Sequence, residues 1–138
     1  MVRIVGIDYG EKRVGLAVTD PLKMFATALD TVAANEVINY LKKYAERETI
    51  ERFVVGYPMN LNNQPAQAAQ YVDAFLKQLQ KHFPEIPITL ADERFTSKMA
   101  FQTMIDAGVK KMDRRNKGTI DKISSVLILQ SYLDAATK

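Results

Sequence analysis

Apolar residues recur along this chain with two different periods. Short apolar or β-branched runs at 3–8, 13–19, 24–30, 52–57 and 86–91 read as strands. Longer stretches with an apolar residue every three or four positions read as helices, over about 34–49, 65–82, 96–108 and 119–136. In the first helix the stripe is Val37, Ile38, Leu41, Tyr44 and Ala45; in the second it is Ala69, Val72, Phe75, Leu76 and Leu79. The linker DYGEKR between the first two strands contains Gly10 and is short enough for a hairpin. The expected order is β-β-β-α-β-α-β-α-α. An antiparallel meander followed by βαβ units implies an α/β fold, a five-stranded mixed sheet flanked by helices.

Composition narrows this picture. The chain has 138 residues, 47% hydrophobic and 25% charged, which is globular usage and enough for a single domain over 1–138. No apolar run is long enough to span a bilayer, and VRIVGI followed at once by charge is no signal peptide. A cytoplasmic location is expected. There are no cysteines and one histidine, His82. Disulfides, thiolate zinc and cysteine nucleophiles are excluded, and any metal must be held by oxygen ligands, as magnesium or manganese is. The net charge of +3 permits a polyanionic partner.

Three carboxylates stand out by position. Asp8 closes the apolar run VRIVGID; Glu93 follows IPITLA, with Asp92 beside it; Asp121 opens a final helix whose body, ISSVLILQSYL, is apolar. Each has an ordinary explanation: a turn-starting Asp, an ion pair with Arg94, a helix N-terminal acid favoured by the macrodipole. Together they weigh differently, because open α/β sheets bind ligands beyond the carboxyl ends of their strands. Three converging carboxylates repel unless a cation compensates them. One or two Mg²⁺ or Mn²⁺ ions would do so, and would clamp a phosphodiester and activate water for in-line attack.

The blocks GIDYGEKRVGLAVTD, VVGYPMNL, ADERFTS and IDKISSVLILQSYL resemble, in order and spacing, the motifs of the YqgF/RuvX family. Its members are bacterial RNase H-like proteins, described as Holliday-junction resolvases and as nucleases for 5′ maturation of pre-16S rRNA. The resemblance covers essentially the whole chain. It implies an RNase H-like fold, a divalent metal, and a hydrolase acting on ester bonds, with Asp8, Glu93 and Asp121 at the family's acidic positions. Two departures are visible. The loop after VVGYPMNL reads NNQPAQ where the family often carries a glycine, and Ser124-Ser125 replace two alanines.

Bases accompany every acid. Lys12 and Arg13 follow Asp8, Arg94 and Lys98 follow Glu93, and KKMDRRNK supplies Lys110, Lys111, Arg114, Arg115 and Lys117 just before Asp121. A charge run is ordinarily a solvated loop; beside an acidic metal site it is what a phosphate backbone needs. Gly10 would let backbone and phosphate approach closely. Tyr9 and Tyr57 offer stacking surfaces, with packing the plainer role for each. The expected function is a metal-dependent nuclease for structured nucleic acid, foremost the pre-16S rRNA 5′ end, working as monomer or homodimer, with the ribosome as a possible setting. The competing readings are a resolvase of branched DNA and a non-catalytic RNA-binding factor in ribosome assembly.

Overall fold

The computed structural model describes residues 2–22, 25–58, 69–92 and 117–136, with residues 92, 117–122 and 136 described by backbone alone. Five strands form one sheet: β1 (Val2–Tyr9), β2 (Arg13–Thr19), β3 (Ala26–Ala33), β4 (Thr49–Tyr57) and β5 (Ile88–Asp92). Their spatial order is β3-β2-β1-β4-β5. β1–β2 and β2–β3 are antiparallel; β1–β4 and β4–β5 are parallel. The helices are α1 (Val37–Arg47), α2 (Ala69–His82) and α3 (Lys117–Ala136), with a short 3₁₀ turn, Ala34–Glu36, before α1. This is the expected five-stranded mixed sheet. The expected helix over 96–108 and most of the basic loop at 109–118 lie outside the described residues.

The pleat of β1 divides the molecule. Successive strand side chains point to opposite faces. Val5 and Ile7 join Val14, Leu16, Phe53 and Val55 in a core closed by Val37, Leu41 and Tyr44 of α1 and by Val72, Phe75 and Leu79 of α2. Ile4 joins Ala17 and Val54 on the other face, under Ile128, Leu129 and Leu133 of α3. The stripe expected for α2 is the buried one, with Leu76 at its half-buried margin; in α1, Ala45 is exposed and the stripe ends at Tyr44.

Element boundaries differ from the periodic reading where the chain is irregular. β4 begins at Thr49, three residues earlier than expected. Its register shifts between Arg3 and Ile4, which pair with Ile50 and Arg52, leaving Glu51 as a bulge. Ile50 and Phe53 therefore share a face at a spacing of three, which no regular strand allows. β3 runs to Ala33 rather than residue 30, with its own shift opposite Leu16–Ala17; as an edge strand it carries mixed, half-exposed residues that blur the alternation. β5 starts at Ile88, since Pro87 has no N–H for the ladder, though its carbonyl accepts from Phe53 N at 3.0 Å. α1 ends before Thr49, which is already in β4.

Candidate active site

β1, β4 and β5 are parallel, so their carboxyl ends meet at one edge of the sheet. Asp8 stands at that edge on β1, and residue 92, paired with Tyr57, stands there on β5. The β1 ladder is regular from Ile4 to Tyr9, so Ile4, Gly6 and Asp8 share the face that α3 covers. Asp8 is half-buried and engaged by a polar or electrostatic interaction.

Gly6 fixes how closely α3 lies. A Cβ built there would sit 2.7 Å from Leu129 Cβ and 3.0 Å from the Ser125 carbonyl oxygen. Only a glycine lets helix and strand touch at this depth. The direction of α3 follows from a second contact: Ala26 N donates to Gln130 Oε1 at 2.9 Å. Ala26 pairs with Thr19, near the amino end of β1. The helix thus runs antiparallel to β1, with its C-terminal half over the amino end of the strand. Its N-terminal half, with position 121, extends toward the carboxyl end. Position 121 lies one turn before Ser125 on the same side of the helix. Helix α3 begins at Lys117, two residues before the expected start, which puts Asp121 in the second turn.

Of the predicted acids, Asp8 alone has a described side chain; Asp121 is placed by its backbone, and Glu93 lies outside the described residues, one position beyond the end of β5. Among the described residues no cluster of three or more His, Cys, Asp or Glu is assembled. Among the predicted bases, Lys12 is exposed and Arg13 half-buried at the β1–β2 turn. Lys117 is the first residue of α3, while Arg94, Lys98, Lys110, Lys111, Arg114 and Arg115 lie outside the described residues. Gly10 has a structural reason of its own. Its N–H donates to the Arg13 carbonyl at 2.9 Å, and a Cβ would lie 2.6 Å from that oxygen.

The tyrosines beside this edge pack on the opposite face. Tyr9 stacks on Phe75 of α2, with centroids 4.4 Å apart and planes 15° off parallel. Tyr57 donates its hydroxyl to Asp73 Oδ1 at 3.0 Å. Burial raises the pKa of both hydroxyls above the usual tyrosine value; the hydrogen bond to Asp73 and its charge add to the rise at Tyr57. Packing, the plainer of their two expected roles, is what the structure shows. Gly6 was not singled out by sequence, though it lies two residues before Asp8 in an otherwise β-branched run, which is the signal of a close backbone approach.

Two solved resolvases share this architecture. T. thermophilus RuvC in complex with Holliday junction substrate aligns with a TM-score of 0.58 at 16% identity, covering 99% of this chain and 96% of that one. Fowlpox virus resolvase in complex with substrate Holliday junction DNA aligns with a TM-score of 0.59 at 11% identity, covering 99% of each chain. At such identities the likeness defines the class of fold, the RNase H-like one. The family model described as "RuvX: Holliday junction resolvase" matches residues 2–135. A Porphyromonas gingivalis protein named "Putative pre-16S rRNA nuclease" is 50% identical over 134 residues, 97% of each chain. One of the same name from Phocaeicola vulgatus is 47% identical over 135 residues, 98% of this chain and 97% of that one. The chain belongs to the RuvX family of nucleases. Among the described residues no helix is long and apolar enough to cross a membrane.

Proposed function

We propose that this protein is a metal-dependent nuclease of structured RNA, with Asp8, Glu93 and Asp121 as its acidic centre and the 5′ end of pre-16S rRNA as its substrate. The observation that carries this is the seam between β1 and α3. Gly6 is pressed against Ser125 and Leu129, and the next positions toward the carboxyl edge are Asp8 on the strand and Asp121 on the helix. β5 lies two strands from β1, roughly 10 Å away, and its last residue, at position 92, is the one that Glu93 follows in sequence.

The donor set fits a hard divalent cation. The chain has no cysteine, and His82 lines the opposite face beside Tyr9, so carboxylate oxygens are what this edge offers. Asp8, Glu93 and Asp121 would hold Mg²⁺ or Mn²⁺. When bound, the cation offsets carboxylate and phosphate charge and supplies Lewis acidity at the scissile phosphate. The protein's own groups set the geometry. Asp8 is held by its pairing with Gly15 of β2, directly after Ile7, which pairs with Val55 of β4. Lys12 and Arg13 at the adjoining turn hold the flanking backbone, with Arg94, Lys98, Lys110, Lys111, Arg114, Arg115 and Lys117 extending that grip by charge. The N-terminal end of α3 favours anions through its dipole. A single domain over 1–138, acting in the cytoplasm on precursor rRNA, accommodates this reading.

A second reading, resolution of branched DNA, is favoured by the description of the matching family model and would require paired active sites. One experiment separates the two. Precursor rRNA 5′ ends, unstructured RNA and a four-way DNA junction are offered in Mg²⁺, Mn²⁺ or EDTA. Selective, EDTA-sensitive cutting of the precursor supports the first reading. Junction cutting by a dimer replaces it with the second. Binding without cleavage under every condition leaves a non-catalytic RNA-binding factor.

A further inference from the structure

On the face opposite α3, the first turns of α1 and the C-terminal half of α2 enclose an open groove of about 400 Å³. Its lining includes Asn35, Asn39, Gln78 and His82, together with Tyr9 and Phe75, whose rings stack on each other. Its described lining contains no Asp, Glu, Lys or Arg. Among the described residues none of the three amides has a hydrogen-bond partner.

We infer that this groove is a subsite for one unpaired nucleobase of the nucleic-acid substrate, next to the point of cleavage. The inference rests on the nuclease reading above and adds to it where the strand goes. The chemistry is that of a base and not of a phosphate. Amide side chains present donor and acceptor together, as base edges do, and a lining without Lys or Arg offers phosphate no guanidinium or ammonium partner. Phe75 is 4% exposed, so half-buried Tyr9 is the accessible ring of the pair, and a base added there extends an existing stack. The volume lies within the range of small-ligand pockets.

Position supports the same occupant. Tyr9 follows Asp8 directly in β1, so the groove opens on one side of the strand end and the acidic edge on the other. The β1–β2 turn joins them. The Ala34 N–H, at the groove wall, donates to the Lys12 carbonyl at 3.0 Å, and the exposed Lys12 side chain sits where a strand crossing from Asp8 to the groove would carry its phosphate. An unpaired tail beyond a duplex stem supplies such a base; a blunt stem does not.

The test measures binding in EDTA of a hairpin with a short single-stranded tail and of the same stem made blunt, each with an RNA and a DNA tail. The tail carries 2-aminopurine. Wild type should bind the tailed stem on the order of tenfold more tightly than the blunt one, with quenching of the fluorescent base. N35A/N39A and Q78A are surface changes whose folding is checked by melting. They should lose most of that preference and the quenching while binding the blunt stem as before. Tail-dependent binding with either sugar, abolished by these changes, supports the subsite. Equal binding of tailed and blunt stems by wild type, or variants that keep the preference, overturns it while leaving the nuclease reading standing. A wild type that binds and cuts no nucleic acid overturns both.

Discussion

The two faces of the sheet are built from the same strands but not from the same kinds of residue. Toward α1 and α2 the sheet presents Val5, Ile7, Val14, Leu16, Phe53 and Val55, and the helices answer with Phe75, Leu79 and Tyr44. Toward α3, β1 presents Ile4, then Gly6, then Asp8. The partners are Ala17 and Val54, with Ser124 and Ser125 buried on the helix. The first face is a thick aromatic and aliphatic core, where stability is concentrated. The second tapers from an isoleucine through a close backbone contact to a carboxylate. One strand thus packs the thick core with its odd positions, while its even ones taper to the carboxylate proposed above for chemistry, and the two can be broken separately.

The largest effect expected is on catalysis. Asp8→Asn, or Asp121→Asn, should lower cleavage in Mg²⁺ on the order of a thousandfold or more, about 4 kcal/mol in barrier, while the melting curve keeps its cooperativity. Normal cutting by either variant removes the acidic centre from the α3 face. The thick face should answer in the opposite sense. Phe53 is fully buried and meets Phe83 edge-on at 5.3 Å. Phe53→Ala should cost about 3–5 kcal/mol in urea unfolding, and the protein that remains folded should still cut. Gly6→Ala falls between the two faces in kind. The new methyl meets a Cβ and a backbone carbonyl, neither able to swing away, so α3 must shift. We expect about 1–3 kcal/mol of destabilisation, accompanied by a fall in activity that a purely structural core change of equal cost would not produce.

The same contrast explains what was legible in the sequence. The order of the described strands and helices, the stripes of α1 and α2, and the mixed sheet followed from periodicity, because the thick face obeys it at nearly every position. Periodicity failed at Glu51 and Leu29, where bulges let residues three apart share a face, and at the exposed edge strand β3. In the candidate site, Asp8 stood out because a charge interrupts a β-branched run. Gly6 did not: a glycine inside a strand signals a close backbone approach, but what approaches it is known only from the seam itself. That positions 8 and 121, 113 residues apart in sequence, lie toward the same end of the seam rests on helix direction, which the Ala26–Gln130 contact fixes and no local pattern encodes.

The aromatic face also sets the response to alkali. Tyr9, Tyr40, Tyr44 and Tyr57 all have pKa values above the ordinary 10.0, with burial the leading cause in each. A hydroxyl whose pKa is raised by folding contributes stability that is complete below the unfolded value and is lost as pH rises through the folded one. Stability should therefore decline above about pH 10, with tyrosinate absorbance appearing later in native than in unfolded protein. Coincident titration in the two states would show that burial on this face does not hold the rings.

The smallest effect expected has the opposite sign and belongs to α3. Ser124 is 2% exposed, and among the described residues its Oγ has no hydrogen-bond partner. A buried hydroxyl without a partner loses its hydration and gains nothing in return. Ser125, one residue along and fully buried, does have a partner. Ser124→Ala removes only the unsatisfied oxygen and keeps a residue small enough for the tight seam. It should stabilise the protein by about 1 kcal/mol, read as a higher urea midpoint at unchanged m-value, and should leave cleavage intact. Ser125→Ala, which gives up a satisfied group, should not stabilise. If Ser124→Ala instead lowered stability or activity, the hydroxyl would have an occupant in solution, and the α3 face would extend its polar chemistry one turn deeper than Asp8 and Asp121 require.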